Sequence, residues 1–133
     1  MSVEPRILVI DSSAVIQEIF LDALTPEGCE VLVASTGEEA IEQLRLALPD
    51  VIFLARVLPD IGGQELLQML RQDPWTREIP VVFVTSASRE KYVAEALQSG
   101  ASDFLLKPFD HDVVRSTTFS VLESQWVARA VSQ

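Results

Sequence analysis

The sequence is poor in the features that mark several function classes. It has one cysteine, one histidine and half as many basic as acidic side chains, 10 Lys and Arg against 20 Asp and Glu. The lone Cys29 cannot close an internal disulfide, which agrees with a reducing compartment. At the start of a strand-like run it reads as an inert packing residue. His111 has no ligand partners at metal spacing and reads as a surface or cap residue. The formal charge of −10 argues against nucleic-acid binding by this domain itself, because phosphate contacts need clustered Lys and Arg. The acids are dispersed along helix-like segments, as at Glu38, Glu39 and Glu42, and read as solvated faces. Also missing is any apolar run near the ~18 residues of a membrane span. Met1 to Ile10 lacks the basic flank and long apolar core of a signal peptide, so the expected location is the cytoplasm. There is no internal repeat or low-complexity segment, and no Gly-rich phosphate loop follows the first strand-like run.

What is present is a regular alternation of hydrophobic period over 133 residues, a length that fits one domain. The stretch from Pro49 to Gly63 organises it. Val51-Ile52-Phe53-Leu54 is a continuous apolar run bounded by Pro49 and a Pro/Gly loop, the pattern of a central strand buried on both faces. Before it, Arg6 to Ile10 and Glu30 to Ala34 read as strands; after it, Pro80 to Val84 and Asp103 to Leu106. Helices are predicted between them. The first carries Ile16, Ile19, Phe20, Ala23 and Leu24 and ends at Pro26 and Gly28; the second is capped by Ser35 or Thr36 and buries Ala40, Ile41, Leu44 and Leu48. The third carries Leu66, Leu67 and Leu70 and stops near Asp73-Pro74. The fourth holds Val93, Ala96 and Leu97, and the last runs from about Asp110 to Ala128. Strands alternating with helices across short loops imply an α/β fold, a doubly wound parallel sheet between two helical layers. Residues 1–126 form the domain, with 127–133 as the helix end or a tail.

The strand ends bring Asp11, Ala55, Thr85 and Lys107 to one edge of such a sheet, where open α/β folds build their sites. At these residues the sequence resembles the CheY-like receiver domain of two-component response regulators. The resemblance lies in Ile7-Leu8-Val9-Ile10-Asp11, the Pro49 to Gly63 stretch, Ile79 to Ser86, and Gly100 to Phe109. It implies a flavodoxin-like (βα)5 sandwich with sheet order 2-1-3-4-5. It also implies a phosphoryl acceptor aspartate ending the third strand, Mg²⁺ held by two acids and a backbone carbonyl, and a hydroxyl and a lysine on the phosphoryl group. Carried over, Asp11 matches the first acid, Val57 the carbonyl, Thr85 the hydroxyl, Lys107 the lysine and Phe104 the switch aromatic. The family's Lys-Pro step is typically cis, so Lys107-Pro108 is expected to be cis.

Two positions depart from the pattern: Ser12 replaces the second acid and Ala55 the acceptor. A methyl group cannot attack phosphorus, and one carboxylate is a poor basis for Mg²⁺, which favours several hard oxygen ligands. The expectation is therefore a non-enzymatic, degenerate receiver that signals by protein contacts without phosphorylation, with Mg²⁺ binding lost or weak. Lys107, without an acceptor to hold it, is expected to turn to Asp11 at salt-bridge distance, roughly within 4 Å. The alternatives are a receiver with a compensating acceptor and a small-ligand module in the vacated pocket. Ser12 and Ser13 read as helix caps, Asp60 as a turn residue and Trp75 as a lid over apolar surface.

The last helix carries two apolar stripes. Val113, Val114, Thr117 and Val121 are expected to face the sheet; Phe119, Leu122, Trp126 and Ala130 form a second stripe. Aromatic residues often anchor interfaces. In the family the face made by helix 4, strand 5 and helix 5 commonly carries dimer or partner contacts. Phe119, Leu122 and Trp126 are thus candidates for contact with a protein partner or a second copy.

Overall fold

The computed structural model describes residues 4–86, 94, 98 and 100–132, the last five by backbone alone. Five parallel strands, β1 (Arg6–Ile10), β2 (Glu30–Ala34), β3 (Val51–Ala55), β4 (Val81–Thr85) and β5 (Asp103–Leu106), form one sheet in the order β2-β1-β3-β4-β5. This is the flavodoxin-like order expected. The described helices are α1 (Ala14–Leu24), α2 (Gly37–Leu46), α3 (Gly63–Gln72) and the C-terminal α4 (His111–Ser132). Of the helix expected between β4 and β5, Ala94 and Gln98 are described and helical, while Val93, Ala96 and Leu97 lie outside the described residues.

Successive strand side chains point to opposite faces, and this period of two splits the core in two. Ile7 and Val9 of β1, with Val51 and Phe53 of β3, pack against Phe20 and Leu24 of α1 and Val114 and Leu122 of α4. Leu8 and Ile10, with Ile52 and Leu54, pack against Ala40 and Leu44 of α2 and Leu66 and Leu67 of α3. β3 is buried throughout, so its only route to chemistry is its carboxyl end. Phe20 sits between Phe53 and Phe109, with ring centroids 4.6 and 5.8 Å away.

Local signals set the helix ends. Ser13 Oγ accepts from Ile16 N at 3.3 Å and caps α1, which then passes through a 3-10 turn (Thr25–Glu27) to Gly28 at φ +85°. Thr36 is the cap of α2, accepting from Glu39 N at 3.0 Å, while the Glu39 carboxylate accepts from Ser35 N. Arg71 fastens the end of α3, donating to the carbonyls of Arg77, Ile79 and Gly100.

Three sequence expectations are corrected. Leu48 lies beyond the end of α2 and is exposed. In α4, Val113 faces solvent, while Leu122 is only 1% exposed and Phe119 is half-buried against the α1 side of the core. The physical reason is that α4 packs on α1 as well as on the sheet. The buried arc therefore spans Val114, Thr118, Val121 and Leu122. Leu122 and Phe119 thus belong to the core and not to an exposed anchor, whereas Trp126 remains 50% exposed. Leu122→Ala is accordingly expected to cost about 3 kcal/mol of stability in urea unfolding. Trp126→Ala, at the surface, should cost less than about 1 kcal/mol. Equal costs would contradict this assignment.

Candidate functional site

The carboxyl ends of β1, β3, β4 and β5 meet as expected, because the register places Ile10 beside Leu54, Ala55 beside Val84 and Thr85 beside Leu106. Asp11, one residue past β1, is 3% exposed. Its backbone N–H donates to Ala34 O and its Oδ1 accepts from Ser13 N at 2.8 Å. Gln17 Nε2 donates to the Asp11 carbonyl and to Ser35 Oγ. The other carboxylate oxygen, Oδ2, is buried with no hydrogen bond, and Lys107 Nζ lies 3.7 Å from it. The expected Lys107–Asp11 pair is therefore present. The Lys107 backbone N–H donates to Thr85 O at 2.9 Å, and the Lys107-Pro108 bond is cis, as expected.

Ala55 ends β3, nearly buried, and presents only a methyl group to this edge. The chain then turns through Val57, exposed and bridged to Gly62, and returns so closely that Gly63 cannot be replaced. A Cβ at Gly63 would lie 2.2 Å from the carbonyl oxygen of Ala55. Ser12 is exposed, and Ser13 is occupied in capping α1. Phe104 is half-buried on the α2–α3 side of the core.

Asp60 is more than a turn residue. Its two carboxylate oxygens accept from Gly37 N and Glu38 N at 2.9 and 3.0 Å, so the loop after β3 caps the N-terminus of α2. These two backbone N–H groups hold its carboxyl below the usual carboxylate range. Sequence reasoning missed this because the contact joins residues distant along the chain, and no local pattern signals it.

As a metal site the edge does not fit. Among the described residues no three His, Cys, Asp or Glu side chains converge. Asp11 supplies the lone carboxylate of the strand-end set, and its free oxygen faces the ammonium of Lys107. Mg²⁺ favours near-octahedral oxygen coordination, which one carboxylate, a serine hydroxyl and a backbone carbonyl do not supply. Among the described residues no helix is long and apolar enough to cross a membrane.

The sheet order is that of a flavodoxin-like α/β fold, with the candidate site at the carboxyl ends of its strands. The family model for the response regulator receiver domain matches residues 7–118, and the chain belongs to that family. Response regulator PleD of Caulobacter vibrioides is 39% identical over 105 residues, covering 79% of this chain and 23% of PleD. The luminescence regulatory protein LuxO of Vibrio campbellii is 31% identical over 109 residues, 82% of this chain and 24% of LuxO. The chain thus spans about a quarter of the length of these relatives. Among solved structures, the chemotaxis response regulator CheY4 of Vibrio cholerae superposes with a TM-score of 0.85 at 26% identity, over 90% of this chain and 99% of CheY4.

The Asp60 cap carries a pH signature. A carboxyl whose folded pKa is lowered stabilises the fold above its unfolded value of ~3.9. That contribution is lost as pH falls through the lower folded value. A carboxyl NMR titration should therefore place the Asp60 midpoint below ~3.9, with the Gly37 and Glu38 amide resonances moving in step. A midpoint at or above the unfolded value would contradict the cap.

Proposed function

We propose that this domain is a degenerate receiver that works without phosphorylation and signals through protein–protein contacts in a two-component-type pathway. The observation that carries the reading is Ala55 at the end of β3, the position that the family resemblance assigns to the acceptor. Phosphoryl transfer to a side chain needs a nucleophile, and a methyl group has no lone pair to offer. The surroundings support the same reading. Lys107 is paired with Asp11, and the remaining strand-end groups do not assemble a Mg²⁺ site. Neither nearby serine is set up as a substitute, since Ser13 is engaged as a cap and Ser12 has no general base assigned to it.

A domain without phosphoryl chemistry acts by what it touches. Trp126 and Val127 on α4 and Leu106 on the edge strand β5 are exposed. They are the candidates on the described part of the face that the family uses for partners or a second copy. The net charge of −10 weighs against direct contact with nucleic acid, and a cytoplasmic setting fits the single unpaired thiol. The function is not catalytic in this reading.

Incubation with acetyl phosphate and Mg²⁺, followed by intact mass spectrometry, tests it. The chain is expected to emerge with no phosphoryl adduct under conditions that label a receiver bearing an acceptor aspartate. A stoichiometric adduct would mean that another side chain has taken over the acceptor's task.

A further inference from the structure

The chain between β3 and α3 forms a short strap whose shape follows from its sequence. Pro59 and Asp60 sit at the corner of a turn that Leu58 N closes by donating to Ile61 O at 3.3 Å. Below the turn Val57 is bridged to Gly62, and Gly63 N donates to Arg56 O at 2.8 Å. The strap therefore has hydrogen bonds of its own. Its apolar side chains point inward: Leu58 is buried, and Ile61 is partly buried on the α2–α3 side of the core. It begins directly after Ala55, so one end of it belongs to the strand-end edge.

Two contacts at its tip fasten the strap to α2. Asp60 Oδ1 and Oδ2 accept from the first two amides of the helix, Gly37 N and Glu38 N. Beside them Ile61 rests so close to Gly37 that a Cβ there would lie 2.4 Å from Ile61 Cγ2. The strap thus fills the space that a side chain at position 37 would need. Both contacts fall on one turn of α2, which is itself held by the Thr36 cap and by Ser35, whose hydroxyl accepts from Gln17 of α1. The Asp60 pair lies at the surface, where solvent-exposed hydrogen bonds open at lower cost than core contacts. β3, by contrast, is buried along its whole length.

We propose that Asp60 is a clasp, and that the strap and the first turn of α2 open and close as one unit while the sheet stays folded. A helix cap alone would serve α2 and leave the strap indifferent. Here the Ile61–Gly37 contact and the strap's own hydrogen bonds make the two sides answer together. The consequence is a link between two surfaces. A contact that orders the strap beside Ala55 also orders the first turn of α2, and linkage requires that a contact on α2 order the strap to the same degree. The strand-end edge is thereby coupled to α2, in the helical layer opposite the one that carries Trp126. The clasp is independent of the preceding reading, since none of its contacts involves a phosphoryl group.

Native-state amide hydrogen exchange of the intact chain, read by NMR as protection factors, tests it. Asp60→Ala, at an exposed position, removes the acceptors of Gly37 N and Glu38 N, and their protection is expected to fall about tenfold. Leu58 N and Gly63 N should lose protection by a similar factor, although their own acceptors, Ile61 O and Arg56 O, remain in place. The amides of β1 and β3 should keep theirs. Gly37→Ala retains the carboxylate but displaces Ile61, and it should lower protection at Glu38, Leu58 and Gly63 together. Loss confined to Gly37 and Glu38 in Asp60→Ala would make Asp60 a helix cap and nothing more, and would overturn the proposal. So would Gly37→Ala with Leu58 and Gly63 unchanged, or a loss that reaches β1 and β3 to the same degree. None of these results bears on the phosphorylation-independent reading, which the mass measurement decides separately.

Discussion

Burial of β3 on both faces is the constraint on which the rest of the molecule depends. Each of its five residues is buried, so a polar group within the strand would lose water without gaining a partner. Chemistry is thereby pushed to the carboxyl edge, where β1, β4 and β5 also end. What that edge can do follows from the residue at the end of the central strand. Here that residue contributes a methyl group, and the chain returns so close to its carbonyl that a side chain at Gly63 would collide with it.

A single carboxylate, that of Asp11, sets the electrostatics of the strand-end edge. Asp11 is almost wholly buried and must have its charge balanced locally. One oxygen is satisfied by the first turn of α1 through Ser13 N. The other has no hydrogen bond and relies on the ammonium of Lys107 at 3.7 Å. The Lys107 side chain, one residue past β5, is thus held toward the end of β1 across the width of two intervening strands, with its own backbone tied to Thr85 at the end of β4.

Much of this was legible in the sequence, and for physical reasons. Apolar runs of strand length between capped helices specify a parallel sheet, and the strand ends could be named from the run boundaries. The Lys107–Asp11 pair followed from asking which carboxylate remained within reach. The failures are equally instructive. Thr118 is fully buried in α4 yet is polar; its hydroxyl donates to Val114 O at 2.7 Å, so the helix itself satisfies it. A search for apolar stripes passes over such a residue, and the inferred buried face of α4 rotated toward Val113 and away from Leu122. Asp60 capping α2 and Arg71 bridging three carbonyls are tertiary contacts without a local pattern.

The central claim is that the strand-end pocket keeps one state whatever phosphoryl donor or divalent ion is offered. Heteronuclear NMR of the isotopically labelled chain, with acetyl phosphate and Mg²⁺ titrated in, reads this at the resonances of Asp11, Thr85, Phe104 and Lys107. The account predicts spectra that superimpose on those of the untreated protein at these residues. Saturable shifts localised to them, with Phe104 moving alongside Thr85, would show a pocket that still responds as a receiver and would contradict it.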